Sequence, residues 1–402
     1  MLRLSVALFL VQAGFHGFTA SIPLALSRAG RADAEIGAIV GISAVVQIAA
    51  ALAGGALIDR FGAIRLFVVG GLCYLTAAVL LFATGVGPEA TAAVIVARVL
   101  QGTGFGLAVP SALTLVPSLV PAARRGIAIA TAGSAHNLTL VVLPPISIVV
   151  LDGYGLPGVT ALVAVLVVAA LALALARPIT PREAVESHLE AANRRFGFAY
   201  RRSWLGPLAV TLLFVLHWGV LTAYLPQRAE SVGANIGLFF AADGLFVLLA
   251  RLPAGWLADR IAPVWPVLAG IALTAAAVAL LLPLPTTEIL IMAGTLSGIG
   301  AALIVQPLML SLTARSSDAD RGSAFALFSA SFAASIALGT IGTAPLIGGL
   351  GFETLLAVAL GGLGLSAVMA LADGGLRRSV AAGARPDKET ELAQEAGTPI
   401  GP

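Results

Sequence analysis

Twelve stretches of about 20 or more mostly apolar residues follow one another along this chain, and that succession restricts its fold more than any other feature. They run roughly over 4–27, 35–58, 66–85, 89–117, 126–151, 156–176, 205–227, 235–258, 265–284, 288–313, 322–348 and 353–373. About 20 apolar residues carry a helix across the hydrocarbon core of a bilayer. In lipid, only helices and closed barrels satisfy their own backbone groups. The stretches are too long and too evenly apolar for barrel strands, so they predict an all-α membrane protein. Only 11% of the residues are charged, against about 25% in a soluble domain. The first stretch follows Arg3 as the core of a signal peptide would. It continues past Gln12 and His16 to Leu26, and it reads as an uncleaved span.

Most connections are short. The exception is 177–204, polar and rich in charge, which divides the chain near its middle. The expected organisation is a bundle over 1–176, a cytoplasmic linker over 177–204, a second bundle over 205–373 and a disordered tail over 374–402. Lys and Arg accumulate on the cytoplasmic side of membrane proteins. With the N-terminus inside, all but five of the 23 basic residues are cytoplasmic. Arg28, Arg31 and Arg228 fall outside, and Arg98 and Arg251 fall within spans. Both termini are therefore expected in the cytoplasm, across an inner membrane of bacterial type. The net charge of +3 follows from this topology. No basic patch interleaved with aromatics suggests nucleic acid.

The two halves repeat each other. Residues 34–60 and 234–260 align without gaps and share Ala34, Ile36, Gly37, Ala50, Leu52, Gly55, Leu57, Asp59 and Arg60 with partners 200 positions later. Gly102-Thr-Gly104 answers Gly298-Ile-Gly300, Arg125-Gly126 answers Arg321-Gly322, Pro145 answers Pro345 and Pro23 answers Pro226. Parallel repeats with a site between them are a recurrent transporter plan.

Gly55-Ala-Leu57-Ile-Asp59-Arg60-Phe-Gly62-Ala-Ile-Arg65 resembles the conserved loop between helices 2 and 3 of the major facilitator superfamily. Gly255-Trp-Leu257-Ala-Asp259-Arg260 resembles its second copy, with Ala262 in place of the expected glycine. Arg98-Val-Leu-Gln101-Gly102-Thr-Gly104 is similar to the helix 4 motif of that family. The resemblance spans the whole chain. It implies 12 transmembrane helices in two pseudo-symmetric six-helix bundles around a central cavity.

Asp59 stands at the C-terminal end of its helix, where the dipole disfavours an anion. It needs Arg60, Arg65 or the N-terminus of a neighbouring helix, such as the one beginning near Arg321-Gly322. Asp59 and Asp259, with Gly55, Arg60, Gly62, Arg65, Gly255 and Arg260, are therefore expected to form a conformational gate; a solvated turn is the alternative. Arg98 lies deep in its helix, where a charge must face protein or water, with Gln101 on a similar face. The resemblance links this arginine to coupling, and the alternative is an anchor on neighbouring carbonyls. Asp243 is the acid inside a span, and its partner in the first half is Ser43, so the repeat does not explain it. It is a candidate for proton coupling, or else a paired structural acid or one in a wet vestibule. His16, His136 and His217 also lie within spans and could carry a proton or bind substrate, although a packing role fits each as well. Gln12, Asn137, Trp218, Tyr224 and Gln306 sit on helices that line the cavity in the resembling fold. Gln47 and Arg251 stay ambiguous.

Neither metal nor cofactor is expected. The histidines match no metal spacing, and no HExxH, GxSxG or Walker-type loop occurs, so neither an enzyme nor an ATP-driven pump is expected. The partners expected are the lipid bilayer, a small-molecule substrate and protons, with the protein a monomer. The look of the chain is that of drug- or sugar-efflux facilitators, with Thr222-Ala-Tyr224-Leu-Pro226 ending helix 7 as in that group. One departure favours other modes. Helix 5 reads Leu143-Pro144-Pro145, without the Gly-Pro-x-x-Gly-Gly element of such antiporters, and a near copy appears instead as Ala344-Pro345-Leu-Ile-Gly348-Gly349. The leading expectation is a proton-coupled exporter. A nutrient importer or uniporter, and a transporter-like sensor without flux, are the alternatives.

Overall fold

The computed structural model of the chain describes residues 2–118, 125–176, 200–258, 260–317 and 320–378. Among the described residues there is no strand. The helices are α1 (Leu2–Thr19), α2 (Ser21–Arg28), α3 (Asp33–Phe61), α4 (Ala63–Thr84), α5 (Thr91–Ser118), α6 (Arg125–Leu175), α7 (Leu205–Ser231), α8 (Ile236–Ala258), α9 (Val264–Leu280), α10 (Thr287–Ala314), α11 (Arg321–Ala337) and α12 (Ala344–Ala372). A π-helical turn, Leu338–Gly342, joins the last two. Among the described residues, ten helical segments are long and apolar enough to cross a bilayer, and the shorter α9 is also apolar. The expected separation of 126–151 from 156–176, and of 322–348 from 353–373, takes an unexpected form. Each junction is one glycine inside an otherwise continuous helix: Gly155 at φ 65° in α6 and Gly351 at φ 78° in α12. A left-handed φ costs glycine nothing, so a single residue redirects the chain where a loop was expected.

Small residues decide how the helices pack, because lipid supplies no hydrophobic force between them. In the first bundle, a Cβ on Gly70 would sit 2.7 Å from the Gly104 carbonyl, which holds α4 tight on α5. In the second, Gly270 of α9 meets the Gly300 carbonyl of α10 at 2.6 Å in the same sense. Gly102 of α5 likewise presses on the Ser43 carbonyl of α3, and Gly298 of α10 on the Asp243 carbonyl of α8. The sequence repeat is thus a repeat of helix contacts, with glycine at matching positions in two pseudo-symmetric bundles.

Ion pairs mark two faces. On the face that carries the start of α1, Arg315 forms a fork on Asp373, at 2.7 and 3.0 Å, and also donates to the Ser203 carbonyl at 2.6 Å. Arg201 pairs with Asp320, and Trp204 is fully buried. Most of the expected linker and tail lies outside the described residues. The tail expected from Gly374 begins as a docked turn, with Leu376 buried and its carbonyl accepting from Val264 N–H. On the opposite face, Arg28 pairs with Asp152 at 2.7 Å and with Glu230 at 2.6 Å.

Burial alone would push the Asp373 carboxyl up, but the Arg315 fork and backbone N–H groups hold it below the usual carboxylate range. A carboxyl held low in the folded state stabilises at pH values above its ordinary value of 3.8 and ceases to as the pH falls through its lower folded value. Asp373→Asn should therefore lower Tm at pH 7, by roughly 1 °C for each kcal/mol that the fork contributes in a chain of this length. The difference from the parent should vanish in acid below that range. Melts of the detergent-solubilised protein at both pH values check this.

Candidate functional site

A central cavity of about 470 Å³ lies where the bundles meet. Its wall draws on α1, α2, α3, α5 and α6 from the first bundle and on α7, α8, α10 and α11 from the second. Among the described residues, α4, α9 and α12 contribute nothing to it. Rings from Phe15, Phe18, Phe105, Phe214, Trp218, Phe328 and Phe332 share the wall with aliphatic side chains and with polar groups that include Asn137, Gln306, Arg98 and Asp243.

Arg98 is one of those groups and is 7% exposed. Its guanidinium donates to the Ile39 carbonyl (3.3 Å), the Val40 carbonyl (2.6 Å), Ser43 Oγ (2.6 Å) and Gln101 Oε1 (2.5 Å). Four bonds tie α5 to α3 and leave the charge dressed by dipoles alone. The planar fork of arginine allows this where lysine could not. Gln101 keeps a buried Nε2 with no partner.

Asp243 faces the same cavity from α8 and is 3% exposed. Ser297 of α10 approaches its carboxyl. Its Oδ1 has no hydrogen-bond partner, and among the described residues no cation lies within ion-pair distance. Burying an unpaired carboxylate is costly, and this one is held at the cavity wall with its Oδ1 enclosed and unsatisfied. Position 43 of the first repeat is a serine already bound to Arg98; the matching position of the second is this free acid.

His217 is buried on α7, and its Nδ1 meets the Phe214 carbonyl at 2.5 Å. A carbonyl only accepts, so Nδ1 carries the proton and, in the neutral ring, Nε2 is left as an acceptor. His16 Nδ1 contacts Thr139 Oγ1 at 2.7 Å, which ties α1 to α6. Trp218 stacks on Phe239 (6.3 Å between centroids, 27°) and meets Phe240 edge-on (5.8 Å, 88°). Asn137, Gln306, Gln47 and Arg251 also line the cavity.

The remaining candidates fall elsewhere. Gln12 is buried and is not part of the cavity wall. Tyr224 is buried at the junction of the bundles, where its hydroxyl donates to the Thr340 carbonyl at 2.8 Å. The His136, Asp59, Asp259 and Gly55 side-chain positions lie outside the described residues, as do the side chains of Arg321 and Gly322. Gly62 ends α3 at φ 85°, with its N–H on the Ile58 carbonyl. Ala262 takes no such angle, since no residue other than glycine among those described has a positive φ. Arg60 lies over the Phe61 ring at 5.2 Å and Arg260 over Trp256 at 3.9 Å. Arg65 is exposed, and Gly255 is half-buried with open space beside it. Sequence reasoning missed Ser297 and the phenylalanines of the wall, because helices apolar on every side give no sign of which face turns inward.

Two bundles of membrane helices enclosing a cavity with charged and polar groups at their junction define a polytopic transporter. The chain belongs to the Major Facilitator Superfamily, whose family model matches residues 4–235 and 208–397; that family consists of secondary transporters. The fold is similar to that of a D-xylose–proton symporter, with a TM-score of 0.73 and 15% identity over 92% of this chain and 96% of the other. An inward-open xylose transporter, XylE from E. coli, gives a TM-score of 0.71 at 15% identity, over 92% and 95% of the two chains. A POT family transporter bound to 5-aminolevulinic acid gives 0.73 at 14% identity, over 92% and 94%. In sequence, the chain is 35% identical over 105 residues to the uncharacterized MFS-type transporter Rv1250 of Mycobacterium tuberculosis; the match takes in 26% of this chain and 17% of that protein.

Proposed function

We propose that the chain exports a small organic molecule in exchange for protons, by alternating access across a bacterial-type inner membrane. Twelve crossings result when α1 and α2 are taken as one, α6 is divided at Gly155, and the part of α12 before Gly351 is counted with α11. An even number puts both termini on one side, and the distribution of Arg and Lys makes that side the cytoplasm. The bundles over 1–176 and 205–373 act as the moving bodies of a monomer, with 177–204 as their cytoplasmic linker.

The observation that carries the reading is Asp243, a buried carboxyl turned into the cavity with one oxygen unclaimed. Such a group gains or loses a proton as the cavity changes its access. Arg98 supports it as the fixed positive charge of the opposing bundle. The contacts between the bundles suit a cytoplasm-facing state. Gly37 and Gly41 press α3 against Tyr224 and the π turn, and Arg28 bridges to Glu230, all on the face away from the N-terminus. Asp59 and Asp259 would close the cytoplasmic side in the other state.

The test is reconstitution into proteoliposomes with a pH reporter in the lumen. Addition of a transported solute should shift lumenal pH, in the direction opposite to solute movement. A solute that moves with no pH response would put proton exchange aside. It would favour the importer or uniporter reading, which the missing glycines around Pro144 and Pro145 also support.

A further inference from the structure

We infer that the solute is an organic cation with an aromatic or bulky apolar body, and that Asp243 is the counter-ion for its positive centre. The inference rests on the transporter reading above and adds the class of molecule carried. Asp243 is the lone acid among the described residues of the wall, and its Oδ1 is unsatisfied. A ligand cation would restore the interaction that burial removed, whereas an anion would meet like charge.

Among the described residues, none of the positive groups of the wall neutralises Asp243. Arg98 already spends four hydrogen bonds on α3 and Gln101. Arg251 shares α8 with Asp243 but lies about 12 Å further along it, at 1.5 Å per residue. The imidazole Nδ1 atoms of His16 and His217 are engaged with Thr139 and Phe214.

The surface around the acid suits an aromatic guest. Phe214, Trp218, Phe328 and Phe332 line the cavity together with Asp243, and the buried Phe239 and Phe240 brace Trp218 from outside the wall. Ring faces within reach of a carboxylate attract a cation through their quadrupole while covering its apolar body. A volume of about 470 Å³ falls within the range of small-molecule sites.

A charge-matched pair of probes tests this on the full-length protein in detergent. Tetraphenylphosphonium and tetraphenylborate have nearly the same shape and opposite charge. The phosphonium should bind at least tenfold more tightly than the borate, with quenching of tryptophan fluorescence. Asp243→Asn should weaken phosphonium binding about tenfold or more, and Asp243→Glu, which keeps the charge, should retain most of it. Size-exclusion elution confirms that both variants are folded. Equal binding of the two ions, or phosphonium binding unaffected by Asp243→Asn, overturns the inference. Flux distinguishes it from the transporter reading. Charge-selective binding without movement of phosphonium into proteoliposomes keeps the site and removes the transport role. Flux of neutral or anionic solutes without phosphonium binding does the reverse.

Discussion

Asp243→Asn should reduce proton-driven flux about a hundredfold and flatten what pH dependence remains, while the protein stays folded. Asparagine fills nearly the same volume but neither binds a proton at this position nor carries a charge. Without a group at this position to take up and release a proton, coupling is lost, and a hundredfold loss corresponds to about 2.8 kcal/mol, since every 1.4 kcal/mol is a factor of about ten. Stability should move the other way. The Asp243 carboxyl has an oxygen that finds no partner in this state, so replacing it with a neutral amide relieves a desolvation cost, and Tm should hold or rise. The backbone carbonyl of residue 243, which receives Gly298, is untouched. Counterflow in proteoliposomes between about pH 5.5 and 8, with a thermal melt of the same preparation, measures both. Unchanged flux and pH profile would move the proton site to the histidines of the wall.

The second large effect is conformational. Gly37→Ala should shift the population toward the state open on the face away from the N-terminus. A methyl group at residue 37 would overlap the Tyr224 hydroxyl, which is anchored on the Thr340 carbonyl. That contact joins α3 of one bundle to α7 and the π turn of the other, so it exists where the bundles touch. Overpacking costs about 1–3 kcal/mol, and about 2 kcal/mol borne by one state alone moves a two-state equilibrium about 30-fold. The readout is labelling of Val40→Cys, a cavity position, in a Cys73→Ala background. A membrane-impermeant maleimide added from that face should react at least tenfold faster when Gly37→Ala is present. Adding Tyr224→Phe should reverse little of the gain, since the ring Cζ and Cε1 would still crowd the new methyl group. Labelling that ignores Gly37→Ala would mean that the contact survives in both states.

Much of the architecture was legible because it depends on properties each segment carries by itself. Twelve apolar stretches predicted an all-α membrane protein, and the 200-residue offset predicted two like bundles. Gly102 and Gly298 stood out in the alignment, and they now explain how α5 meets α3 and how α10 meets α8. The breaks at Gly155 and Gly351 were legible only as interruptions, since sequence does not distinguish a loop from one glycine with positive φ. The site was legible in part. Arg98 and Asp243 were conspicuous as charges within apolar runs, and His16, His217, Trp218, Asn137 and Gln306 join them at the cavity. Tyr224 and Gln12 were equally conspicuous, yet they face protein.

The amino-acid order alone determined that the chain partitions into lipid and that its halves repeat, since hydrophobicity and repetition are properties of a segment wherever its neighbours lie. Which polar groups meet was decided only in three dimensions. Ser43 and Asp243 occupy equivalent places in the repeat, but Arg98 reaches Ser43 and no cation among the described residues reaches Asp243. Partnership depends on the rotation of each helix about its axis, and a helix apolar all round does not encode that rotation in its own residues.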